Sequence, residues 1–171
     1  MSQFFAAVAH VIATGYVRGR GLLTGKEFTR AHQTIAAELG LRLIPVGDAF
    51  HLADTDPAWG YQPDRQFDFK RPQPPLLPDQ THSLHRGWQW QKKADGTVAL
   101  GLDGHHAGTA GEYLGACVWY EVLFKESPVG NTFVPPGLSP AEICFLQETA
   151  HRAVLNARTK QQTSLGPKVI V

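Results

Sequence analysis

Asp103-Gly104-His105-His106-Ala107-Gly108-Thr109-Ala110-Gly111-Glu112-Tyr113-Leu114 places a carboxylate three residues before an imidazole in a glycine-rich run. A mostly apolar segment, Tyr113 to Phe124, follows at once. The run is expected to be a loop that delivers Asp and His to the mouth of a helix. Asp-x-x-His spacing allows side-chain contact within one turn. In that contact the carboxylate holds the ring in one tautomer and stabilises the imidazolium, while the outer ring nitrogen takes a proton from a hydroxyl. The other reading of the same residues is a glycine-rich turn with a solvated His pair and an Asp that caps the helix.

Asp103-x-x-His106, followed by Gly111-x-Tyr113-Leu114-x-Ala116, resembles the last conserved block of the SGNH/GDSL hydrolases. That family cleaves esters, often acyl groups on carbohydrates, with a Ser-His-Asp triad. Upstream, Glu38 to Phe50 is similar to the helix and strand that precede this block in one branch of the family. The resemblance implies that His106 is the general base and Asp103 its orienting partner, with His105 the intervening residue. It implies an α/β fold: a partial flavodoxin-like, SGNH-type three-layer α/β/α domain over residues 1–158, with an added β-hairpin, a long Pro-rich loop and a tail over 159–171.

Such an enzyme also needs a nucleophile and an oxyanion hole. The family places its Ser in a Gly-Asp-Ser-like block near the N-terminus, and a Gly and an Asn in two middle blocks. Ser2, Ser83, Ser127, Ser139 and Ser164 have no such surroundings, nor do Asn131 and Asn156. Ser83, beside the hairpin, is the nearest substitute. The nucleophile is thus expected from outside this chain, from an N-terminal portion of the same enzyme, and the substrate is expected to be a small-molecule or carbohydrate ester.

Away from this block the chain is ordinary for a packed domain. It has 171 residues, 43% hydrophobic and 18% charged, enough for a core. A net charge of +1 with scattered Lys and Arg gives no case for nucleic acid or an acidic membrane. No apolar run is long enough to span a bilayer, Phe4 to Thr14 lacks the basic residues of a signal peptide, and no cofactor motif occurs. Cys117 and Cys144 sit in apolar helical patterns and are expected to be buried free thiols. The compartment stays unassigned.

Periodicity predicts helices over Ser2–Val17 and over Thr24–Leu39, the second opened by a Thr24/Glu27 capping box and stopped by Gly40. Leu41–Val46 is expected to be a buried or edge strand ending near Pro45. Its carboxyl end leads to Asp48, a secondary candidate for the site, because ligands of open α/β sheets sit there. Asp54–Asp79 carries six prolines interleaved with Trp59, Tyr61, Phe67 and Phe69, and is expected to be an ordered excursion anchored by its rings. Thr81–Leu102 is expected to be a hairpin turning at Asp95-Gly96, with Trp88 and Trp90 on one side. Helices are expected over Gly108–Phe124 and from Ser139-Pro140-Ala141-Glu142 onward. Val169-Ile170-Val171 is a further candidate strand.

Two other functions are open to these residues. Trp88 and Trp90, with Trp59 and Tyr61, are candidates for a sugar-stacking platform in a non-catalytic carbohydrate-binding or interaction module; they equally suit a small core under the Pro-rich loop. His82, His85, His105 and His106 invite a metal-dependent hydrolase, but their spacing is unlike that of zinc sites, and no metal is expected.

Overall fold

The computed structural model describes residues 43–164 without a break and, before them, residues 30, 31, 34–36, 38 and 39. The predicted Ser2–Val17 helix, the Thr24/Glu27 cap, Gly40 and Val169–Val171 lie outside the described residues. Those described between 30 and 39 are helical up to a turn at Leu39, whose N–H donates to Ile35 O at 3.0 Å, as the Thr24–Leu39 reading requires.

The fold is mixed α/β: helices packed beside one two-stranded antiparallel sheet. Its elements in chain order are α1 (Val46–Asp54), β1 (His85–Lys92), β2 (Val98–Ala107), α2 (Thr109–Phe124) and α3 (Pro140–Ser164). The sheet is the predicted hairpin. No parallel strand occurs among the described residues. Among the described residues, no helix is long and apolar enough to cross a membrane.

The expected strand at Leu41–Val46 is corrected. Leu43 and Ile44 have no regular structure, and Pro45 stands at the N-cap of α1. Val46, Ala49, Phe50 and Ala53 are buried at i, i+3, i+4 and i+7, which is the helical period. Of the run's described residues, only Val46 lies on a helix face, and Leu43 and Ile44 lead into it. Pro45, with no N–H to give, costs nothing at its start.

The three helices pack on one another and enclose the core. Phe50, Leu114, Val118 and Val154 are at most 2% exposed. Burial of each such side chain is worth about 1.5–3 kcal/mol. The hairpin joins this core through Leu84 and Ala107, and through the His85 ring, which lies edge-on to Phe50 with centroids 6.0 Å apart. Gly111 makes that junction possible. A Cβ there would collide with the Leu84 carbonyl oxygen and stand 2.9 Å from Phe50 Cζ. Gly111→Ala is expected to cost about 1–3 kcal/mol by overpacking. In urea unfolding the midpoint should fall at unchanged m-value.

The Pro-rich excursion is ordered, and its rings do anchor it. Trp59 stacks on Phe145 of α3 at 5.2 Å, and Phe69 meets Trp88 of β1 at 4.9 Å. Aspartate carboxylates accept from the backbone N–H groups of its turns. Asp56 Oδ1 accepts from the N–H groups of Ala58 and Trp59 (2.9 and 3.0 Å), and Asp64 Oδ1 from those of Gln66 and Phe67 (2.8 and 3.2 Å). Asp64 Oδ2 also accepts from Asp79 N–H at 3.0 Å, closing the excursion on itself. These are Asx turns, in which a side chain replaces a missing backbone acceptor.

Helix α3 opens with the predicted capping box. Ser139 Oγ donates to Glu142 Oε2 at 2.7 Å and accepts from Glu142 N–H at 3.2 Å, while Ser139 N–H donates to the same carboxylate at 2.8 Å. The helix continues to Ser164, so residues 159–164 are helical rather than tail. At its seam with α2, Glu121 is 2% exposed. Its carboxylate meets His151 Nδ1 at 2.8 Å and an Arg158 guanidinium nitrogen at 3.4 Å.

The two cysteines divide. Cys117 is buried among the helices, and burial pushes its thiol up to about 12. Cys144 lies on the exposed side of α3, against the expectation for both, because the buried stripe there runs through Ile143, Leu146 and Ala150. Its Sγ donates to Glu148 at 3.5 Å, and that bond raises its pKa. A chromogenic disulfide titrated at pH 8 should therefore modify only Cys144 in the folded chain, and both thiols once urea unfolds it.

Candidate active site

Asp103 and His106 do not lie on a loop; they are part of β2. On a regular strand, residues three apart point to opposite faces. Here the ladder goes out of count. Between the pairs His85↔Ala107 and Gly87↔Asp103, β1 spends only Arg86 and β2 spends Gly104, His105 and His106. The resulting bulge turns the chain back over Asp103. Asp103 Oδ1 accepts from the N–H groups of His105 (3.3 Å) and His106 (3.0 Å), and both carboxylate oxygens lie 3.0 Å from His106 Nδ1. The Asp-x-x-His contact expected from the spacing is thus formed.

The Asp103 carboxylate is 16% exposed and the His106 side chain 46% exposed. Burial pushes the Asp103 pKa up. The His106 N–H, the His106 ring and the His105 N–H outweigh it and hold the carboxyl below its ordinary value. The acid is therefore an anion at neutral pH and fixes the ring with its Nδ1 toward the carboxylate, so Nε2 is the position for proton exchange. Asp103 is not a helix cap. The N-cap of α2 is Gly108, which makes no side-chain cap bond. Helix α2 begins at Thr109, after Gly108 and the end of β2 at Ala107.

The remaining candidates fall elsewhere. His105 is exposed, and its N–H is what binds Asp103. Asp48 lies in the first turn of α1, which packs against α2 and α3. Trp88 and Trp90 pair with Leu102 and Leu100 on one face of the hairpin, as expected. Both are half-buried under the Pro-rich excursion: Trp88 against Phe69, and Trp90 through an Nε1–H bond to Leu76 O at 3.0 Å. They fill the small core, and Trp59 is taken up by Phe145. The histidines do not converge. His82 lies against Trp59 and 3.8 Å from Glu142, and His85 lies against Phe50. Among the described residues, no three His, Cys, Asp or Glu side chains are grouped to hold a metal.

The hydroxyls of Ser83, Ser127 and Ser139 are engaged locally. Ser83 Oγ donates to His85 O at 3.1 Å and accepts from His85 N–H at 3.3 Å, and Ser127 Oγ accepts from Val129 N–H at 3.2 Å. Ser139 is in its capping box. Two side-chain arrangements, one beside the site and one at the α2–α3 seam, had no signal in the sequence. One is Gln80, whose amide grips the Trp88 backbone. The other is the Glu121–His151–Arg158 cluster. Both depend on contacts between elements. The chain matches no known family model, no curated protein and no solved structure.

Proposed function

We propose that this chain is the C-terminal part of an SGNH-like serine ester hydrolase, with His106 as general base and Asp103 as its orienter. The observation that carries the reading is the carboxylate bound across His106 Nδ1 on a strand bulge, with the ring 46% exposed. A serine supplied by an N-terminal portion of the same enzyme gives its hydroxyl proton to His106 Nε2 as its oxygen bonds to the ester carbonyl carbon. The imidazolium then returns that proton to the departing alcohol as the carbon–oxygen bond breaks. Water, deprotonated by the same ring, bonds to the acyl carbon, and the ring returns that proton to the serine oxygen as the acyl–serine bond breaks and the acid leaves. Acyl groups on carbohydrates are the proposed substrates, on the strength of the resemblance.

The test is the gene. In frame upstream of Met1, a Gly-Asp-Ser-like block is expected. The longer polypeptide should react with a fluorophosphonate at that serine, and His106→Ala should suppress the reaction. A longer polypeptide labelled equally well with and without His106 would remove the reading.

A further inference from the structure

We infer that Gln80 is a positioning residue for the Asp103–His106 pair and acts on it through the backbone of Gly87 and Trp88. The inference rests on the role proposed for that pair, but the coupling is a property of this chain alone. Lys93 N–H donates to Thr97 O at 2.8 Å and closes the hairpin. Counting back along the register, 91/99, 89/101 and 87/103 are then the pairs that exchange hydrogen bonds. The N–H and C=O of Trp88 point the other way, off the outer edge of β1. Gln80 takes both: its Oε1 accepts from Trp88 N–H, and its Nε2 donates to Trp88 O at 2.9 Å. The amide stands where a third strand would lie.

Gly87 lies beneath that amide. Its φ is +72°, and a Cβ there would collide with Gln80 Oε1. Its partner across the ladder is Asp103, and theirs is the last regular pair before the bulge. Whatever fixes Gly87 therefore fixes the point from which the bulge departs, and so the direction in which the Asp103 carboxylate meets His106.

Gln80 is held in turn by the excursion. Asp79 N–H donates to Asp64 Oδ2 at 3.0 Å, Asp79 Oδ1 accepts from Thr81 N–H at 2.9 Å, and Ser83 N–H donates to Gln80 O at 3.0 Å. The Pro-rich segment thus reaches the candidate site through the backbone under it, in addition to covering the Trp pair.

The experiment is NMR on the isotopically labelled chain, comparing the parent with Gln80→Ala and Gln80→Glu. Two-bond proton–nitrogen spectra read the His106 tautomer, and carboxyl carbon shifts read the titration of Asp103. In the parent the Nδ1–H tautomer should dominate. In Gln80→Ala its population should fall and the Asp103 midpoint should rise. Gln80→Glu keeps an acceptor for Trp88 N–H but sets a carboxylate against Trp88 O, so it should move both signals the same way. His51, on the exposed side of α1, is the internal reference and should not change. A folded Gln80→Ala chain with the parent's tautomer and Asp103 titration would overturn the inference. If that variant does not fold, unchanged signals in the closer-sized Gln80→Glu would overturn it equally. Ester turnover plays no part in this readout, so loss of the hydrolase reading and loss of the coupling are told apart.

Discussion

In the proposed hydrolase, replacing His106 by Ala should lower kcat for ester hydrolysis by on the order of 10⁶-fold, and Asp103→Asn by on the order of 10⁴-fold. Both substitutions act on one proton path. The first removes the base. The second keeps the shape of the side chain but replaces an anion held below its ordinary pKa by an amide that can donate to the ring and so favour the wrong tautomer. KM should change little in either case, because neither group is asked to bind substrate in the ground state. His105→Ala is the control. That side chain is exposed, and only its backbone N–H reaches Asp103, so activity should stay within a few-fold of the parent. Steady-state kinetics on an aryl acetate would decide. Loss on His105→Ala with retention on His106→Ala would exchange the roles of the two rings.

Phe50→Ala should be the most damaging substitution in the core, at about 3–5 kcal/mol. Phe50 has no solvent exposure, lies edge-on to His85 at the start of β1, and packs on Gly111 in the first turns of α2. Removing the ring opens a cavity where α1, the hairpin and α2 meet, and the Leu84 carbonyl against Gly111 leaves little room for the hairpin to settle inward. Urea unfolding followed by tryptophan fluorescence would measure the loss. Leu155→Ala, at a position 44% exposed on α3, should stay within about 0.5 kcal/mol.

What the sequence made legible were the features whose signal is local. The capping box at Ser139 and Glu142, the turn at Asp95-Gly96 and the Trp88/Trp90 alternation each follow from residues a few positions apart, and each is present. Asp103 and His106 were legible as a contact but not as a place. A loop was expected because glycines dominate, whereas Gly104 serves a bulge inside a strand that runs on to Ala107. Leu41–Val46 misled because a short apolar run reads alike for a buried strand and for the lead-in to a helix. Only the spacing of Val46, Ala49, Phe50 and Ala53, past the proline, separates them. The bond from Asp79 N–H to Asp64 Oδ2 and the grip of Gln80 on β1 were invisible for another reason: their partners are chosen by tertiary contact, and nothing in the type of residue announces them.

The cluster at the α2–α3 seam sets a lower bound on how short an autonomous piece of this protein can be. Glu121 is 2% exposed, and the groups its carboxylate meets come from far along α3, the His151 ring and the Arg158 guanidinium. A chain clipped before Arg158 loses the guanidinium, and one clipped before His151 loses both partners, leaving a buried carboxyl group without them. The final turns of α3 are thus an integral clasp for the helix that follows β2, and protease trimming from the C-terminal side should stall there.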